Sequence, residues 1–239
     1  MTNTLNMIEL RLNASSLFRF AREQRLNKRE DSDLGYLLHA WLKALLYDLT
    51  PNCFRYYGGD YPRVLAYTQH AAGELIDQAK SFATPLTLAV TRIEDLRYAK
   101  ALPQFKSGRR LGFEVLSCPV TRKANKEKDA FLHRLESLEG REERTSLRRE
   151  VVYCDWLSNK MAGVVLEDVA IAQFQLVKQY RKGQAKKTHS RPKHTITHPQ
   201  VLFRGILQIE NSEGFNRLLV RGVGRHRSFG YGMLLLRPA

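Results

Sequence analysis

Leu34, Leu37, Leu38, Trp41, Leu42, Leu45 and Leu46 recur at i, i+3, i+4, i+7 and i+8, the period of a helix with one buried stripe. A helix over residues 34–49 follows from that spacing. Around it the pattern shortens: runs over 7–13, 54–57, 64–69 and 86–93 read as strands, and 71–79 as a second helix. The order is β-α-β-β-α-β, a ferredoxin-like unit. Further on, an alternating strand over 110–118 precedes helical patterns over 129–138 and 150–159 and a run over 169–178. A strand over 201–209, a helix over 213–220 and a strand over 233–237 close the set. The expected fold class is α+β, with two tandem ferredoxin-like (RRM-like) units. They span residues 1–100 and 108–239, joined through a stretch carrying Pro103 and Gly108.

Charge narrows the class of partner. The 39 Lys and Arg against 24 Asp and Glu leave a formal charge of +15, which speaks for a polyanion. A membrane surface is the competing polyanion, but no apolar run approaches the ~20 residues of a transmembrane span, and the first residues lack a signal peptide's pattern. A cytoplasmic protein is expected. Residues 178–204 hold eight Lys or Arg and no acid. Gly183, Ser190 and Pro192 interrupt that segment, so it reads as a mobile basic loop that wraps a ligand with Lys182, Lys186, Lys187, Arg191 and Lys193. Cys53, Cys118 and Cys154 are widely spaced and odd in number, which suits reduced structural thiols rather than a disulfide framework or a zinc knuckle. His189, His194 and His198 lie in the basic segment without metal-ligand spacing and read as phosphate contacts or solvated side chains. Neither a metal nor a cofactor is expected.

Two constellations could carry chemistry. Opposite the apolar stripe of the 34–49 helix, Tyr36, His39 and Lys43 share one polar face. An imidazole is the natural proton carrier near neutrality, an ammonium can stabilise a phosphorane, and a phenol can donate or orient. The second is Gly222-Val-Gly224-Arg225-His226-Arg227-Ser-Phe-Gly230-Tyr-Gly232, whose glycines let the backbone turn tightly and approach a phosphate while Arg225 and Arg227 add charge. It has neither the Gly-Lys-Ser/Thr of a Walker loop nor the spacing of a dinucleotide fingerprint. It matches the RRM aromatic strand motif only in part, with Ser228 where glycine is expected. His226, inside this loop, is a rival for the proton-transfer role.

The run VLFRGILQIENSEGFNRLLVRGVGRHRSFGYGMLLLRP over residues 201–238 resembles the glycine-rich signature of CRISPR repeat-processing endoribonucleases of the CasE type. MIELRLNASS resembles that family's first strand and following Asn/Ser turn. DLGYLLHAWLKALL resembles its catalytic helix, with Tyr-x-x-His recurring as Tyr36 and His39; GRRLGFEVLSCPVTRK and CDWL resemble the strand and helix of the second unit. The resemblance implies cleavage of precursor crRNA at the 3′ base of a repeat stem-loop, leaving a 2′,3′-cyclic phosphate and a 5′-hydroxyl without metal. It also implies mature crRNA held in a Cascade-like effector complex with other subunits. His39 takes the general acid/base role and Tyr36 the assisting one, while Lys43 stands one residue before the family's third basic position. Arg141, Arg144 and Arg148 lie in a longer connection that resembles the arginine-bearing insertions of type IV relatives, so types I-E and IV both stay open. The alternative function is a non-catalytic subunit that binds the same RNA hairpin.

Overall fold

The computed structural model describes residues 4–26, 34–123, 126–182 and 193–239, with the backbone alone for residues 97, 98, 123, 178–182 and 193–196. In the first half, β1 (Asn6–Arg11), β2 (Phe54–Tyr57), β3 (Arg63–Thr68) and β4 (Lys100–Ala101) form an antiparallel sheet in the order β2-β3-β1-β4. The helices are α1 (Ala14–Glu23), α2 (Leu34–Leu46), α3 (Ala72–Phe82) and α4 (Pro85–Leu88). Taking α2 and α3 as the crossover helices, this is the ferredoxin-like arrangement.

The stripe of α2 is buried as its spacing predicts, with Leu38, Trp41, Leu42 and Leu46 fully enclosed against Ile8, Leu10, Val64 and Ala66 of the sheet. Each such side chain contributes about 1.5–3 kcal/mol relative to exposure. The Trp41 indole donates to Thr87 O at 3.1 Å, which satisfies its one polar atom inside the core. Helix α1 escapes the sequence pattern, although Asn13 is its cap: its side chain accepts from Ser16 N at 2.9 Å.

The expected strand over 86–93 does not form: a short helix ends at Leu88, residues 89–92 turn, and a 3₁₀ helix begins at Ile93. Thr84 Oγ1 accepts from Thr87 N at 3.3 Å and Pro85 occupies the first turn, so the apolar run enters as α4. A short apolar run suits either element, and the Thr-Pro start decides it. The fourth strand comes later, with Lys100 opposite Met7, inside the stretch read as a linker.

In the second half, β5 (Arg110–Ser117), β8 (Val164–Lys182), β9 (Lys193–Ile209) and β10 (Leu234–Pro238) repeat the arrangement in the order β10-β5-β9-β8. Helices α7 (Arg149–Ser158) and α8 (Ser212–Arg221) are its crossovers. A hairpin of β6 (Val120–Lys123) and β7 (Lys126–Asp129), followed by α5 (Ala130–Glu136) and α6 (Arg141–Ser146), fills the connection from β5 to α7. Asp129 anchors it: the carboxylate accepts from Phe131 N at 2.8 Å, from Tyr153 Oη at 2.9 Å and from Arg149 at 2.9 Å.

The described flanks of the basic segment are paired strands rather than loop. Strand β8 runs through Lys182 and β9 starts at Lys193, paired as Tyr180↔Thr195 and Lys182↔Lys193, so much of the expected loop is a long β-ribbon. Thr195, Ile196 and Thr197 are β-branched and favour a pleated strand over a loop. Lys186, Lys187, Arg191 and His189 lie outside the described residues, as do the side chains of Lys182, Lys193 and His194. His198, expected at a solvated or phosphate-contacting position, is only 3% exposed.

The two halves share apolar contacts. Leu5, Cys53 and Tyr67 from the first half join the core of Phe113, Trp156, Phe203 and Phe215 in the second. The Tyr67 hydroxyl donates to Leu234 O at 2.9 Å, and Asn52 Nδ2 donates to Val220 O at 3.4 Å. Among the described residues, no helix is long and apolar enough to cross a membrane.

Candidate active site and nucleic-acid interface

Burial of its leucine stripe fixes the rotation of α2 and turns Tyr36 and Lys43 outward, with His39 half-buried between them. The tip of the glycine-rich segment, a 3₁₀ turn at Arg227–Phe229, packs on this face. The Phe229 ring stands edge-on to His39 at 5.7 Å between centroids and tilted against Tyr36 at 6.3 Å. The two constellations therefore meet at one place, although they come from opposite ends of the chain.

The glycines make that meeting possible. Gly224 has φ +75° and a Cβ there would lie 2.7 Å from the Trp156 ring, while at Gly232, φ +79°, a Cβ would collide with the Val223 carbonyl. Side chains at these positions would meet both a left-handed backbone and occupied space. Val223 N donates to Gly232 O at 2.8 Å and closes the base of the turn. His226 itself is left-handed, at φ +58°.

Burial, and secondarily the charge of Lys43, holds the His39 imidazole below its ordinary range. It is therefore neutral near pH 7 and able to accept a proton. Lys43 is engaged elsewhere: Nζ donates to Tyr47 O at 3.0 Å and lies 5.8 Å from the centroid of the Tyr47 ring. In this arrangement it acts on His39 through its field.

A groove of about 1880 Å³, with Phe229 among its lining residues, runs along the turn and α8. Lys106, Arg122, Lys160, Arg217, Arg221, Arg225 and Arg227 line it, against two acids, Glu127 and Glu213. Such a surface suits a phosphate backbone. Glu127 on β7 organises its wall: it accepts from Arg225 Nε at 2.7 Å and its other oxygen sits 3.0 Å from His226 Nε2. Arg227 donates to Arg221 O at 2.9 Å, which orients the guanidinium along the helix end. Behind the turn, His226 lies 4.9 Å from His198, ring centre to ring centre.

Residues 7–238 match the family described as CRISPR associated protein. The chain belongs to that family. No curated protein sequence matches it. Among solved structures it is similar to the CRISPR endoribonuclease Cse3 bound to 19-nucleotide RNA, with 21% identity, 98% of this chain and 100% of that chain covered, and a TM-score of 0.63. Thermus thermophilus Cse3 bound to an RNA representing a pre-cleavage complex gives 21% identity, the same coverage of 98% and 100%, and a TM-score of 0.58. A chain of a CRISPR RNA-guided surveillance complex, pre-nicking, gives 16%, again over 98% and 100%, with a TM-score of 0.52. At these identities the likeness is one of fold, and it extends over the whole chain.

In this CRISPR-associated protein the expected site residues divide by place. Tyr36 and His39 gather at Phe229, while Gly222, Gly224, Arg225, His226 and Arg227 line the groove. Arg141, Arg144 and Arg148 do not line it. Arg144 Nε donates to Leu138 O at 2.7 Å and Arg148 lies 3.6 Å from Glu150, both on the exposed connection. Sequence reasoning missed Phe229 and Glu127. Phe229 stood inside a recognised motif, so its position was available, but nothing local showed which ring it would meet. Glu127 gave no signal, since an acid in a basic stretch resembles any solvated carboxylate. Arg217 and Arg221 were hidden because a helix with mixed charges reads as an ordinary exposed face.

Proposed function

We propose that the chain is a metal-independent endoribonuclease that binds a CRISPR repeat stem-loop, cuts the precursor crRNA at the 3′ base of the hairpin and keeps the mature crRNA in a Cascade-like complex. One observation carries the reading: Phe229 lines the basic groove and its ring packs against both His39 and Tyr36. The family membership and the fold shared with Cse3 bound to RNA support it. In this reading residues 1–100 form the domain that supplies the catalytic helix, residues 108–239 form the domain that grips the hairpin, and the protein works in the cytoplasm.

The chemistry follows from the residues. Neutral His39 takes the proton of a 2′-hydroxyl, whose oxygen bonds to the neighbouring phosphorus as the bond to the 5′-oxygen breaks. A proton returned to that oxygen, from the Tyr36 phenol or the imidazolium of His39, leaves a 5′-hydroxyl and a 2′,3′-cyclic phosphate. Arginines of the turn and the field of Lys43 offset charge building on the phosphorane. The nucleophile belongs to the substrate, so no metal-bound water has to be generated.

Incubating the protein with a repeat stem-loop in excess EDTA tests this. Cleavage should persist, and the termini should be a cyclic phosphate and a 5′-hydroxyl. Loss of cleavage restored by magnesium, or 5′-phosphate ends, would overturn the mechanism.

A further inference from the structure

Cys118, His198 and His226 are far apart in the chain and meet behind the glycine-rich turn. The pairing of β5 with β9 accounts for two of them. Ser117 stands opposite Val201, which puts Cys118 beside position 200 and His198 two residues along on the same face. The left-handed turn delivers the third. One ligand atom from each residue lies within 4.8 Å of the others, and Cys118 and His198 are buried, 1% and 3% exposed. Glu127, with its side chain 4% exposed, reaches His226 Nε2 at 3.0 Å.

We infer that these residues form a binding site for a borderline-soft divalent cation, zinc above all, which fastens the glycine-rich turn to the sheet. A thiolate and two imidazoles are a zinc donor set, and a fourth position remains for Glu127 or water. Alternatively Glu127 accepts a hydrogen bond from His226 Nε2–H and leaves the other ring nitrogen to the metal, a common carboxylate–histidine–zinc relay. Zinc–sulfur bonds of about 2.3 Å and zinc–nitrogen bonds of about 2.0–2.1 Å place tetrahedral ligand atoms roughly 3.3–3.6 Å apart. Side-chain rotations drawing the three atoms inward by about 1 Å would complete the site. Cys53 packs in the shared core and is not among the residues whose ligand atoms converge here. The site was invisible in the sequence because strand pairing and a turn, rather than short spacing, assemble it. It stands whether or not RNA is the substrate, and it holds the turn without entering the chemistry at His39.

The test is metal content and spectrum, with no activity readout. The full chain, purified under reducing conditions without chelator, should carry close to one equivalent of zinc by mass spectrometry. Cobalt(II) exchanged into the stripped protein should give tetrahedral visible bands and a sulfur-to-cobalt charge-transfer band. Cys118→Ser should abolish the charge-transfer band and cut zinc to background, whereas Cys154→Ser should keep both. Should Cys118→Ser fail to fold by circular dichroism, the wild-type cobalt spectrum and the His198→Ala zinc content decide. Background zinc together with an octahedral, sulfur-free cobalt spectrum in the wild type would overturn the inference. So would a charge-transfer band that survives Cys118→Ser. In the cleavage assay, activity lost to EDTA and restored by zinc but not magnesium would belong to this site and leave the metal-free chemistry standing.

Discussion

His39 and Lys43 sit one helical turn apart, and that spacing has a kinetic consequence. A general base is active when deprotonated, and burial with the Lys43 charge lowers the imidazole pKa, so activity should hold somewhat below the ordinary value of ~6.5. Lys43→Ala removes a cation that disfavours the imidazolium and should raise the pKa. The acid limb of the kcat/KM profile, which reports the free enzyme, should move to higher pH. A limb that stays put or moves lower would mean that Lys43 does not tune His39. The shared face of Tyr36, His39 and Lys43 was legible in the sequence because a helix is rigid and its period sets which residues are neighbours. The contact of His39 with Phe229 was not, because it depends on how two remote segments pack.

At the scale of elements, the pattern located most strands and helices and failed where two physical readings compete. The run at Leu86 and Leu88 is apolar enough for either element, and only the Thr84 cap with Pro85 turns it helical. The basic segment looked loop-like from Gly183, Ser190 and Pro192, yet its flanks pair as β8 and β9, since β-branched and alternating residues outweigh charge in choosing a strand. The basic segment carries a quantitative expectation. Lys182, Lys186 and Lys187 should contact phosphates, because the deep major groove of an A-form stem is closed to ordinary side-chain reading. Replacing all three with Ala should weaken RNA binding. The slope of log affinity against log salt should flatten by roughly 0.7–0.9 per lost contact, with cleavage of saturated RNA largely intact. Affinity measured across a salt series checks it. An unchanged slope would mean that these lysines stay solvated, and a lost rate at saturation would mean that they position the scissile phosphate.

On the scale of the whole molecule, the charge of +15 and the two repeated units were plain in the sequence, and the structure adds how they cooperate. The first sheet fixes α2, the second unit carries the turn and most of the groove's lining, and the shared core of Leu5, Cys53 and Tyr67 with Phe113 and Phe203 holds one against the other. No single element contains both the proposed base and the proposed binding surface. The most direct test therefore separates the two. Wild-type protein and His39→Ala, each in saturating excess over a labelled repeat stem-loop, should bind with affinities within a few-fold of one another, since His39 lies off the buried stripe. Single-turnover cleavage should fall by about 10²–10⁴ in the variant. Equal rates would remove His39 from the mechanism and turn attention to His226. A wild-type protein that binds the hairpin tightly and leaves it uncut would contradict the account outright and make this chain an RNA-holding subunit.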